Sequence, residues 1–103
     1  MQDPNQIEVP PSFVALYTSP SGYRLTEPMA AVRERYELCE DLAQVLTDQA
    51  SSTLFKSGEP EWQVLEKIEL ALSAAESPVQ PAEAAWVVRR LAELLDWKPP
   101  RGE

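Results

Sequence analysis

Apolar residues recur at intervals of three and four through most of this chain, and that spacing predicts helices. The longest stretch carries Met29, Val32, Tyr36, Cys39, Leu42, Ala43, Leu46 and Ala50, which share one side of a helix. Leu38 and Val45 widen the stripe, and Arg35 falls within it. Arg33, Glu34, Glu37, Glu40, Asp41, Gln44 and Asp48 take the other side. A start near Thr26 or Glu27 places Pro28 in the first turn, where its missing N–H costs nothing. Ser51-Ser52-Thr53 lowers helix propensity, so the helix either frays there or continues to Phe55 before Gly58 stops it.

A second helix is predicted from Glu59-Pro60 to about Ala75, burying Val64, Leu65, Ile68, Ala71, Leu72 and Ala75. Trp62 and Leu70 lie off that stripe. After the break Ser77-Pro78-Val79-Gln80-Pro81, a third helix runs to Trp97 and is stopped by Pro99-Pro100. It has two faces suited to making contacts. At about 3.6 residues per turn, Ala84, Val87, Val88, Leu91, Leu94 and Leu95 share one face, and Trp86, Arg90, Glu93 and Trp97 line the opposite one.

Upstream, Ser12 to Tyr17 is a short apolar segment, either one helical turn capped by Ser12 or a short strand. Thr18 to Gly22 reads as a turn, with Pro20 and Gly22 supplying fixed and permissive backbone angles. The expected organisation is a loose tail over 1–11, one helical domain over 12–98, and a C-terminal tail over 99–103. The expected fold is all-α: a small bundle of three main helices with the N-terminal segment packed on it.

Composition narrows the chemistry. The chain has 103 residues, enough for one modest core, and an apolar fraction of 44%, which supports a globular chain over a disordered one. Its formal net charge of −8 opposes phosphate-backbone binding as the main task. The charge is uneven: from Glu27 to Ala85 there are twelve acidic residues against four basic, and from Trp86 to Glu103 three against four. A solvated acidic shell or docking onto a basic protein surface both fit that distribution. The single cysteine, the absence of a basic and apolar leader pattern, and the lack of a run of about 20 apolar residues together predict a cytoplasmic protein with no membrane partner.

No catalytic signature is present. Without histidine there is no Ser-His or Cys-His pair, and the commonest metal ligand is missing. Cys39 falls within the apolar stripe, where a thiol acts as a small hydrophobe. Glu34, Glu37, Glu40, Asp41 and Asp48 form a carboxylate cluster, but no calcium-loop pattern accompanies them, and a solvated helix face accounts for their spacing. Gly22, Gly58 and Gly102 are too isolated to build a phosphate loop. The expectation is therefore no enzyme activity, no cofactor and no metal.

Two readings of the last helix remain. Phe13, Val14, Leu16 and Tyr17 cover its tryptophans, or Trp86, Arg90, Glu93 and Trp97 form an interaction surface for a protein partner or a second copy, since Trp and Arg dominate interface hot spots. In the second reading Arg90 and Glu93 pair as a polar border between the rings. A helix-turn-helix regulator is the alternative for the last two helices, with Arg89 and Arg90 on the recognition helix. Against it, the opening turn presents Glu83 and no base-reading side chain past Gln80, so nucleic acid is not the expected partner.

The runs from Tyr36 to Gln44 (YELCEDLAQ) and from Pro81 to Leu95 (PAEAAWVVRRLAELL) resemble a family of small uncharacterised proteobacterial proteins, some of whose members are labelled an ATPase subunit with chaperone activity. The resemblance covers most of residues 9–98 and rests on helix-face patterns. It implies a subunit contributing to a shared enzyme or chaperone-ATPase assembly. The ATP binding in that label has no phosphate loop to serve it here, and the label carries over no functional residues.

Overall fold

The computed structural model describes residues 8–98. Among these the fold is all-α: α1 (Pro11–Val14), a 3-10 turn over Ala15–Tyr17, α2 (Met29–Ser57), α3 (Glu61–Leu72) and α4 (Pro81–Leu95). The one extended pairing among the described residues is an isolated bridge between Thr18 and Leu25. Two compact units meet in sequence between Leu38 and Cys39, and α2 passes through that boundary. Residues 1–7 of the expected 1–11 tail, and the expected tail 99–103, lie outside the described residues.

The first unit grows from the short apolar segment, which is helical and not a strand. Its cap is not Ser12. Pro10 holds the extended N-cap position and Pro11 opens the helix, with the Phe13 and Val14 amides donating to the Pro10 carbonyl at 3.0 and 3.1 Å. Helical structure therefore begins within the stretch expected to be tail. Phe13 is fully buried, with its ring 5.7 Å from that of Tyr36 in an edge-on arrangement and 5.8 Å from that of Tyr17. The turn expected over 18–22 is present, and the reversal it opens extends to Thr26. The Gly22 amide donates to the Ser19 carbonyl at 2.8 Å, Gly22 takes a φ of 82°, and the Thr26 amide closes onto the Tyr17 carbonyl at 2.7 Å. Because Thr26 is occupied in this turn, α2 begins two to three residues later than expected, with the Pro28 carbonyl accepting from Ala31 and Val32.

In the second unit α2 continues unbroken through Ser51-Ser52-Thr53 to Ser57. Gly58, at φ 69°, closes it, its amide donating a hydrogen bond to the Leu54 carbonyl at 3.0 Å. Its buried seam here is Cys39, Ala43, Leu46 and Ala50, spaced four, three and four. Leu38 and Val45 do not widen it: they are exposed, Val45 at 73%. Arg33, assigned by pattern to the solvated side, is half-buried, and its Nε is shut off from solvent with no acceptor among the described residues.

α3 packs against α4. It buries Val64 and Leu65, with Ile68 and Leu72 half-buried, and ends at Leu72. Ala71 and Ala75, expected in the core, are exposed. The connector 73–80 tucks in Val79, 4% exposed, whose amide donates to Ser77 Oγ at 3.2 Å.

α4 is the central element of this unit, burying Ala84, Trp86, Val87, Val88, Leu91 and Ala92. Its start is fixed by a capping box. The Gln80 amide donates to Glu83 Oε1 at 2.9 Å while the Gln80 side chain accepts from the Glu83 amide, which explains a glutamate only 1% exposed. α4 ends at Leu95, ahead of the prolines expected to stop it. Asp96 adopts the left-handed conformation (φ 58°, ψ 41°), and the Trp97 and Asp96 amides bond back to the Ala92 and Glu93 carbonyls at 2.8 and 3.2 Å.

Candidate interaction surface

The line Trp86, Arg90, Glu93 and Trp97 does not form a continuous exposed surface. Trp86 is 9% exposed and belongs to the packed interior, which takes it out of the interaction surface that the second reading built from it. Besides α3, α4 has a second neighbour, because Arg90, one turn from Trp86 on the same side, reaches Glu40 of α2. A helix flanked by both α3 and α2 must be apolar on more than one side, so a second sticky face need not be vacant.

Arg90 explains how α4 is held to α2. Its Nε donates to Glu40 Oε1 at 2.8 Å and its Nη2 to Glu40 Oε2 at 3.0 Å, a two-pronged contact that fixes the relative position of the two helices. Gln44 Nε2 adds a third donor to Glu40 at 2.9 Å, and Arg90 Nη1 reaches Glu93 Oε1 at 3.1 Å. The expected Arg90–Glu93 pair is therefore present. Its stronger partner is Glu40, which the sequence pattern assigned to a solvated carboxylate face. The guanidinium holds the Glu40 carboxyl below its ordinary value, chiefly through its hydrogen bonds, and Glu40 in turn raises Arg90. Fifty positions separate the two residues, and no local periodicity signals such a contact.

Glu93 stays open to solvent, and Trp97 is half-buried beyond the end of α4. With Arg89, Ala92 and Asp96 they line a shallow concavity. Cys39 is fully buried, and among the described residues no three of Cys, Asp and Glu are grouped as ligands for a metal ion. No helix among them is long and apolar enough to cross a membrane.

A different surface is open. On α3 the inward positions centre on Ile68, and the opposite side carries Trp62, Glu66 and Leu70 at successive intervals of four. Trp62 is 48% exposed and Leu70 70%, with Glu66 exposed between them. Lys67, on the flank, is engaged by Glu59 through both carboxylate oxygens at 2.7 and 2.6 Å. The signal for this surface was in the sequence, where Trp62 and Leu70 already fell off the buried stripe. The connector between α3 and α4 is longer than the tight turn of about three to four residues in a helix-turn-helix.

No protein-family model matches this chain, and neither a curated protein nor a solved structure matches it.

Proposed function

We propose that this chain is a non-catalytic protein-interaction module, an adaptor or accessory subunit, and that its contact face is the outer side of α3. The observation that carries this reading is Trp62 and Leu70 standing two turns apart on a helix whose other side already supplies the core. Single exposed apolar residues are ordinary, but a large aromatic and a leucine aligned on one helix face form an anchor pair. Trp62 is well suited to this, since tryptophan offers a wide contact area with little rotamer entropy to lose. The Arg90–Glu40 contact supports the role indirectly, by fixing α4 against α2 and giving α3 a firm backing. Glu93 and the half-buried Trp97, at the end of α4, contribute a second, smaller accessible site.

The test is photo-crosslinking in the native cell with a benzophenone amino acid at position 62. A discrete adduct of any mass, lost when Leu70→Ala is added, is the expected result. A background-level smear, unchanged by Leu70→Ala, would remove the proposal.

A further inference from the structure

The outer face of α3 has a charge pattern that selects among occupants. Its centre is a carboxylate, Glu66, exposed between the two apolar anchors. The basic residue of α3, Lys67, is neutralised by Glu59. A partner seated here must bring apolar groups to Trp62 and Leu70 and something to satisfy Glu66 as water is excluded.

We infer that this face receives an amphipathic helix of net positive charge, whose lysine or arginine meets Glu66 between two apolar anchors; this rests on α3 being the contact face. At about 1.5 Å rise per residue, Trp62 and Leu70 lie about 12 Å apart along α3, the span of two turns of a partner helix. Apolar residues at that separation, with a basic residue between them, reproduce the pattern in complementary form. A cationic side chain near Glu66 also comes within reach of the Trp62 ring, adding a cation–π contribution.

Other occupants meet electrostatic opposition. In a two-fold pairing of α3 with a second copy, Trp62 of each would meet Leu70 of the other, and Glu66 would face Glu66 at the centre. Two copies would also bring together chains each of net charge −8. Anionic lipid and nucleic acid are repelled by the same charge.

The experiment is selection from a phage-displayed library of randomised helical peptides on the immobilised full-length chain. Soluble Trp62→Ala/Leu70→Ala double variant serves as competitor, after circular dichroism has shown that it is folded. Recovered peptides should be net positive, with apolar residues one to two turns apart. By fluorescence anisotropy they should bind the wild type at least about tenfold tighter than the double variant, and Glu66→Lys should weaken them about tenfold or more. Recovery of neutral or acidic peptides, of none, or of peptides that bind the double variant equally well overturns the inference. So does a doubled mass in light scattering that Glu66→Gln strengthens and the double variant abolishes, which identifies a second copy as occupant. Those outcomes leave the contact-face reading intact if the adduct at position 62 persists, whereas its loss as well takes down both.

Discussion

Asp96 occupies a position that suits it poorly on two counts. A left-handed backbone at the helix end favours glycine, and a carboxylate beside the last carbonyls of α4 opposes the helix dipole. Asp96→Gly keeps both closing hydrogen bonds and relieves both penalties. Thermal unfolding should show a gain of about 0.5 to 1 kcal/mol, and an unchanged or lower melting temperature would contradict this account of the cap. Glu40 presents the opposite case, a charge with well-placed partners. Its carboxyl is held below the ordinary value of 4.5, so the stability it contributes is present above that value and is lost as pH falls through the folded one. Glu40→Gln should cost about 1 to 2 kcal/mol at neutral pH, a figure that allows for solvent screening of the one-third exposed Arg90. Acid titration followed by circular dichroism should be shallower below about pH 5 in Glu40→Gln than in wild type. Parallel curves would show that Glu40 contributes nothing through its charge.

At the scale of elements, two tryptophans on neighbouring helices should behave in opposite ways. Trp86→Ala removes a buried ring from α4 and should cost about 3 to 5 kcal/mol by denaturant unfolding. Trp62→Ala with Leu70→Ala truncates an exposed face of α3 and should shift stability by about 0.5 to 1 kcal/mol at most. A large loss from the second pair would place those residues in a packed interior. This contrast also marks what local pattern discloses. The number and order of the main helices followed from spacing, as did the seam Cys39, Ala43, Leu46 and Ala50. The off-stripe positions of Trp62 and Leu70 were visible as well. For Trp86 both a covered and an open place stayed possible, because periodicity gives the angle of a side chain about its own helix and not what stands opposite. For the same reason Val45 was counted as buried and Glu40 as merely solvated: both lie on α2, and their surroundings depend on helices far along the chain. Helix ends were displaced where a side chain or a backbone turn took over. Thr26 was claimed by the Tyr17 carbonyl, and Asp96 closed α4 before any proline could.

On the scale of the whole molecule, charge imbalance sets a background against which every ion pair acts. Seventeen acidic residues against nine basic ones produce a self-repulsion that folding intensifies by drawing the charges together. Salt acts on both sides of this balance. It screens the repulsion among exposed carboxylates, and it weakens attractive pairs such as Lys67–Glu59 more than the better-shielded Arg90–Glu40 contact. With acidic residues in such excess the repulsive contribution dominates. The melting temperature should therefore rise by a few degrees between about 10 mM and 300 mM sodium chloride, as the Debye length falls from about 30 Å to under 10 Å. Arg90→Met, which removes the principal attractive contact, should enlarge that rise. A melting temperature that falls with salt would show that the ion pairs outweigh the net charge. The acidic surface would then contribute through its pairs more than it costs through repulsion, and the field around the outer face of α3 would be weaker than its carboxylates suggest.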